Sequence, residues 1–532
     1  MPRVLLSTVF RPFGVEDKYN KKDDDLLLDY LASRLSREPG LFALSSLLPV
    51  SGLYMIGANI DCHVKILQYP TLKEFTQEVK KGYDYVGIGF IIKGFPKAIK
   101  MISVVRKHAP DTKVVLGGFG TSLHDVEKMG ADHVCCGEGI SFMRKLVGTP
   151  EDTPLVHPKI VADVTLRTLQ ANSFVPKQCF GLVTNGFGCP GACEFCSTSA
   201  YFGRRHVEFF KSGRELFDGI NAIRRGDPGL KNFLIFEEDF LLYREHVAEF
   251  STLMRNAVDD PFYYGCFASV RAMSEYSLPD LVAAGFEHVW VGVESALGYF
   301  GKQSGVRDVR DVVEELNSLG VTTTCSIIFG LDHHTPENID QEGDMLISLY
   351  PTTVQISNMM PPEGTELHRR LTAEERIRKA GPLEADLYSD IMMHPQFAEG
   401  ELTEAIFRNY DRLHDTLGPA VFRTAKTWMQ GYRNLRNSTV VQLRNKAEEL
   451  AKRLRGIRVV FLDTEEFLPN DTVREMVRDF KAELVEEFGQ PSSEQEAMGR
   501  LIGRVFAVED ERERMFGERK IEPALAETYY GS

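Results

Sequence analysis

Over residues 1–150, short apolar runs alternate with amphipathic stretches. Val4–Phe10, Val64–Leu67, Tyr85–Phe90, Val114–Gly118 and His133–Cys136 read as strands. Thr71–Lys81 and Pro96–His108 read as helices, the first with Leu72, Phe75 and Val79 on one face. Strand–helix alternation at this spacing predicts a doubly wound, Rossmann-like parallel sheet. Residues 151–172 are read as a linker. From 173 to 370 the rhythm returns, with strands at Phe180–Thr184, Asn232–Phe236, Tyr263–Val270, His288–Val293, Thr323–Phe329 and Thr353–Ser357. Six such units with polar strand ends predict an open, partial (β/α)6 barrel. Residues 371–532 read as a mostly helical domain, from amphipathic patterns at Val440–Arg455 and Thr472–Gly489. A short strand is expected at Val459–Leu462, and the charged tail from Glu509 is expected to be loosely packed. The fold class is therefore α/β, with a C-terminal helical domain.

The uncharged run Pro39–Ile60 is long enough to span a bilayer. Ser45, Ser46, Ser51 and Asn59 make it polar and Pro49 interrupts a helix, so it reads as buried loop and helix rather than a transmembrane segment. Met1-Pro-Arg-Val leads straight into a strand pattern, so no signal peptide is expected.

Composition is that of a globular protein, with 43% hydrophobic and 26% charged residues over 532 positions. The net charge of −14 argues against broad nucleic-acid binding, which needs a basic surface. Nine cysteines in so long a chain are no disulfide framework and fit a reducing cytoplasm. Cys62, Cys135, Cys136, Cys266 and Cys325 fall in or beside apolar runs and read as buried thiols.

Three other cysteines carry the chemistry. Cys189, Cys193 and Cys196 form a C-x3-C-x2-C loop, with Phe195 just before the last ligand. Three thiolates on one loop can hold three irons of a cubane and leave the fourth open, whereas electron-transfer clusters normally use four cysteines. The alternative is a structural zinc with Cys179 as fourth ligand, but such sites usually come as two pairs of close ligands, and Cys179 has no near partner.

The loop, its aromatic and its strand context resemble the cluster loop of the radical S-adenosylmethionine (radical SAM) enzymes. The first third resembles the cobalamin-binding domain fused to many of them, through Tyr85–Phe90, Val114–Gly120 and Ala131–Gly139. The glycine-rich strand ends Gly87, Gly89, Gly117, Gly118, Gly137 and Gly139, with Glu138, would admit a flat or bulky ligand. The loop Phe10–Val15 has no histidine, so cobalamin would be held without a histidine below the cobalt. The resemblance further implies a 4Fe–4S cluster and S-adenosylmethionine as cofactors. It places Glu237 and Glu238 near the cosubstrate amino group, Arg271 near its carboxylate, Glu294 and Ser295 beside it, and Gly330 in the turn near the adenine. His333 and His334, at a turn, are expected to be exposed and outside the site. Pro361–Leu367 resembles the segment that closes this domain in cobalamin-fused relatives.

The implied activity is reductive cleavage of S-adenosylmethionine, hydrogen abstraction from an unactivated carbon and methyl transfer through cobalamin. Cyclisation, rearrangement, carbon–carbon coupling, or a non-catalytic cobalamin sensor or carrier are the alternatives. A methylthiotransferase acting on tRNA or a ribosomal protein fits less well, because the chain is acidic and its front cysteines lack the spacing. The expected partners are a small-molecule or lipid-like substrate and a reducing protein such as flavodoxin or ferredoxin. The C-terminal region is expected either to pack or to cap the barrel mouth, with Arg423–Tyr432 as a possible pocket wall.

Overall fold

The strands of the computed structural model run, in chain order, β1 (Arg3–Thr8), β2 (Leu44–Leu47), β3 (His63–Gln68), β4 (Tyr85–Gly89), β5 (Lys113–Gly117) and β6 (His133–Val134). They continue with β7 (Val161–Leu166), β8 (Gln178–Thr184), β9 (Gly186–Phe187), β10 (Val207–Glu208) and β11 (Asn232–Phe236). The last are β12 (Tyr263–Ser269), β13 (Phe286–Glu294), β14 (Thr322–Phe329), β15 (Thr353–Asn358) and β16 (Ala526–Tyr530). The structure describes residues 1–13, 36–170, 177–297, 307–378, 387–518 and 522–531.

The front sheet has the order β16-β3-β1-β4-β5-β6. Its five N-terminal strands are parallel. The order reverses between β1 and β4, which is where ligands enter a doubly wound sheet. Helix Leu72–Val79 starts at a capping box between Thr71 and Glu74 and buries Phe75 and Val79. Helix Phe95–His108 buries Met101 and Val105 against Val86, Ile88 and Leu116 of the sheet.

The second sheet has the order β15-β14-β13-β12-β11-β8-β7-β2. β8 and β11 to β15 run parallel, as the six-unit reading requires. Two antiparallel strands extend it, β7 beside β8 and β2 beside β7. Residues 151–172, read from sequence as a linker, therefore include a strand. Its pattern is weak because Val161, Asp163, Val164 and Thr165 are only half-buried. Pro39–Ile60 supplies the edge strand β2 and a helix, Ser51–Gly57, with Ser45 bonded to Gln170 at 2.5 Å. Among the described residues no helix is long and apolar enough to cross a membrane.

The C-terminal helices Glu401–Leu417, Ala420–Leu435 and Val441–Ile457 pack against the outer helices of the barrel. They buttress its outside, the packing role that was one of the two expectations for this region. Tyr410 seals the free edge of β15, accepting the Ile356 N–H at 2.8 Å. Arg423 is fully buried, paired with Glu38 at 2.5 Å and bonded to the Pro351 carbonyl at 2.8 Å, so it ties segments together rather than lining a pocket. The strand expected at Val459–Leu462 is instead a 3-10 turn, Arg458–Phe461, because Val460 and Phe461 bury among the surrounding helices. The tail is ordered too. Helix Ser493–Phe516 brings Glu513 to within 2.6 Å of Arg167, and β16 returns to pair antiparallel with β3. The alternation Glu527, Tyr529 beside Lys65 is the signal that the charged composition hid: the Lys65 ammonium sits between Glu78 (2.8 Å) and Glu527 (3.1 Å), over the Tyr529 ring.

Candidate active site

β8 delivers the chain to the cysteine loop at its carboxyl end. All three thiols are half-buried. The Gly191 N–H donates to Cys189 Sγ at 3.2 Å and the Ser199 N–H to Cys196 Sγ at 3.4 Å, so Cys196 caps the helix Ser197–Tyr201 with its sulfur. Such N–H donors favour a thiolate and help set the potential of a cluster. Burial still holds the Cys189 and Cys196 thiols above the ordinary range, and the nearby Glu238 adds to the rise.

Zinc fits poorly. Thiolates around one tetrahedral zinc lie about 3.8 Å apart, from zinc–sulfur bonds of ~2.3 Å. Among the described residues the ligand atoms that meet within 4.8 Å belong to His333, His334 and Glu342, not to the three cysteines. Cys179 is exposed at the start of β8, five residues and roughly 16 Å of strand from its end.

The strand-end residues divide into groups. Glu237 is buried and committed: its carboxylate accepts from Asn185 Nδ2 and pairs with His206 Nε2 at 2.5 Å. His206 in turn stacks on Tyr243 at 4.6 Å. Glu238 is exposed and acts on Cys189 and Cys196, so it is the carboxylate that faces the loop. Arg271 is exposed on the short helix Val270–Met273 beyond β12. Asn185, His206 and Tyr243 were not legible in the sequence, because the β9–β10 pairing brings the first two together and Tyr243 arrives from the turn after β11.

At the end of β13, Glu294 is buried with φ at +65°, and Ser295 follows it inward. Glu342 holds this turn. It accepts from Ser295 Oγ and from the Ala296 N–H, both at 2.5 Å, and from His334 Nε2 at 2.9 Å. His334 is fully buried, contrary to the exposed position expected for it. Its Nδ1 accepts the Leu331 N–H at 3.1 Å, so its proton sits on Nε2 and points at Glu342. A metal at Nε2 would displace that proton and leave no compatible tautomer, so His333, His334 and Glu342 serve as a brace. Burial pushes Glu342 up, but the bonds from His334, Ser295 and Ala296 outweigh it and hold the carboxyl below its ordinary value. The stability it contributes is therefore present above about pH 4.5 and is lost as the pH falls below that. Glu342→Ala is expected to cost about 1–3 kcal/mol by leaving buried donors unmet, read as a lower denaturant midpoint. Gly330, at φ +81°, turns β14 away where a Cβ would meet Asn358 Oδ1 at 2.8 Å.

At the carboxyl ends of β1, β4 and β5 lies an apolar cavity of about 280 Å3. Gly87, Gly89, Gly117, Gly118, Gly137, Glu138 and Gly139 all line it. At Gly118, φ is +87° and a Cβ would lie 2.7 Å from the Phe90 carbonyl oxygen, so no side chain is tolerated there. Glu138 caps helix Gly139–Val147, accepting the Ser141 N–H at 2.8 Å, and so shapes the cavity rather than pointing into it. Cys135 is buried here, while Cys136, expected to be buried, is exposed. Phe10 and Phe13 are buried; residues 14 and 15 of the expected loop lie outside the described residues.

The far wall of this cavity comes from the cysteine-loop region: Phe187, Tyr201 and Phe202. The Tyr201 hydroxyl lies 3.2 Å from the carbonyl oxygens of Gly118 and Cys135 and 3.0 Å from Thr121 Oγ1, and its ring lies against Phe119 at 4.9 Å. One five-residue helix, about 7 Å long, thus runs from Cys196 to the cavity. The segment Pro361–Leu367 also joins the two halves, with Glu363 accepting the His124 N–H at 2.7 Å.

Residues 183–346 match the Radical SAM superfamily. The anaerobic magnesium-protoporphyrin IX monomethyl ester cyclase of Cereibacter sphaeroides is 23% identical over 234 residues, 43% of this chain and 37% of that protein. An uncharacterized methyltransferase of Pyrococcus horikoshii, PH0819, is 21% identical over 235 residues, 43% of this chain and 50% of that protein. The chain thus spans half or less of these curated relatives. Among solved structures, the radical S-adenosylmethionine methyltransferase TsrM from Kitasatospora setae, with cobalamin and a [4Fe-4S] cluster bound, aligns with 85% of this chain and 99% of its own. The TM-score is 0.51 at 15% identity. The same enzyme with tryptophan substrate and a SAM analogue gives 0.50, also at 15% identity, over 85% of this chain and all of its own. The match to the Radical SAM superfamily thus covers the middle of the chain, and the fold is similar to that of TsrM.

Proposed function

We propose that this radical SAM protein is a cobalamin-dependent enzyme that abstracts hydrogen from an unactivated carbon of a small-molecule or lipid-like substrate and methylates it. The observation that carries this reading is Tyr201, which belongs to both sites: it follows Cys196 on one helix and closes the glycine-lined cavity. Three half-buried thiols, two of them with N–H donors, fit an open-cornered cluster. An apolar cavity that excludes side chains at Gly118 fits a flat ring system, although at 280 Å3 it takes only part of a corrinoid. When bound, the cluster with S-adenosylmethionine would supply a deoxyadenosyl radical, and cobalamin a methyl group.

The chain's own residues position and enclose. Cys189, Cys193 and Cys196 would hold the cluster, and Glu238, near Cys189 and Cys196, would pair with a cosubstrate ammonium. Ser295, held by Glu342, fixes the end of β13, and Gly330 turns the chain at the end of β14. Phe187, Tyr201 and Phe202 wall the cavity with aromatic surface on the side of the cysteine loop. This chemistry needs a reducing, cytoplasmic setting and a low-potential donor such as flavodoxin or ferredoxin. Cyclisation is the second reading, supported by the similarity to the magnesium-protoporphyrin cyclase over 234 residues.

Anaerobically reconstituted protein is expected to hold one cluster and one cobalamin and to form deoxyadenosine under reduction. Gly118→Val is expected to lose cobalamin and retain iron. Deuterated candidate substrates should pass label to deoxyadenosine, and a product heavier by one methylene unit distinguishes methylation from cyclisation. Colourless, iron-free protein would overturn the reading.

A further inference from the structure

The cysteine loop contains a carboxylate, Glu194, between two of its ligands. A negative charge there opposes the arrival of an electron. Helix Glu366–Ala373 answers it: Arg370 Nη2 lies 3.3 Å from Glu194 Oε1, and the Leu367 N–H donates to the Glu194 carbonyl at 2.9 Å. Arg370 also reaches Asp332 at 3.5 Å, two residues beyond Gly330, and Arg376 holds Asp332 at 2.5 Å. Phe195 packs beneath these contacts with Leu331, Leu367 and Leu371. Arg370 thus joins the cysteine loop to the turn after β14.

This arrangement is poorly suited to a role in stability. The Arg370, Glu194 and Asp332 side chains are each about one-third exposed, and ion pairs at that exposure contribute little to folding. Their effect on a redox centre next to Glu194 is different, because charge in a partly desolvated loop acts directly on the centre's electron affinity.

We propose that Arg370 is a positioning residue that sets the electron affinity of the loop's cluster: it neutralises Glu194 and fixes the loop against the turn after β14. The inference rests on the cluster reading above. Arg370→Gln is expected to make the cluster harder to reduce, with the reduced fraction at a fixed ambient potential falling about tenfold, equivalent to ~59 mV for one electron. Glu194→Gln is expected to shift the potential the opposite way. The double variant Arg370→Gln/Glu194→Gln should return near the wild-type value, and Arg370→Lys should retain it. The readout is an EPR-monitored redox titration of the reconstituted holoenzyme, with iron content measured in each variant. Potentials unchanged in Arg370→Gln and Glu194→Gln at full iron loading would overturn the proposal, as would a double variant no closer to wild type than Arg370→Gln. Where Arg370→Gln does not load iron, Glu194→Gln and Arg370→Lys decide it by the same criterion. Wild-type protein that never takes up a cluster defeats the functional reading instead, so the two failures are distinguishable.

Discussion

Cys193→Ala is expected to leave the protein folded and to lower deoxyadenosine formation by at least about a thousandfold, more than 4 kcal/mol of barrier. Cys193 is half-buried on the loop and belongs to none of the apolar clusters, so its removal opens no core cavity. The denaturant midpoint should move by no more than about 0.5 kcal/mol. What changes is the ligand count, since two thiolates cannot retain the cubane that three hold. Cys179→Ala is the matched control. Its thiol is exposed at the opposite end of β8 and should leave iron content and turnover unchanged. If Cys193→Ala retains stoichiometric iron and cleaves S-adenosylmethionine at the wild-type rate, the loop is not the reaction centre.

The two-layered α/β plan was legible because parallel strands are buried on both faces and read as apolar runs, as at Val114–Leu116 and Val289–Val293. The cysteine loop was legible because ligand spacing is local. β7 and β16 were not, because each is a half-exposed strand with a mixed pattern, and each also pairs with a strand far away in sequence, β2 and β3. The histidine pair shows the same limit. A turn of two histidines is usually solvated, and only Glu342, arriving on helix Ile339–Leu349, makes His334 a buried donor. Glu237 reads as a ligand contact from its strand end, yet His206 and Asn185 occupy it from β10 and the end of β8. Motif position therefore located the mouth of the barrel, while the partner of each carboxylate depended on long-range packing.

Glu287→Gln is expected to cost about 3 kcal/mol of stability, because it leaves the buried Lys446 ammonium without its anion and Arg453 with Glu449 alone, at 3.1 Å. Glu287 is at the start of β13, on the side of the barrel away from the mouth. Lys446 lies 3.0 Å from its Oε2 and Arg453 2.8 Å, both against the Tyr263 ring. This triad anchors helix Val441–Ile457 to the barrel. Burial holds the Lys446 ammonium down at about 8, despite the pull of Glu287 in the other direction. Between about pH 8 and the ordinary lysine value near 10.5, the unfolded chain therefore binds more protons at this site than the folded one, and the Lys446 contribution to stability rises with pH across that window. Lys446→Met removes the buried charge while Arg453 still satisfies Glu287, so its cost should stay below about 1.5 kcal/mol and the rise above pH 8 should flatten. In Glu287→Gln the lysine loses its counterion, so the rise should begin at lower pH and become larger. Urea midpoints at pH 7 and pH 9 for the three proteins separate these outcomes. A Glu287→Gln protein as stable as wild type at pH 7 would mean that the helix is held by its apolar face, Ala447, Leu450 and Leu454, and that the triad contributes nothing.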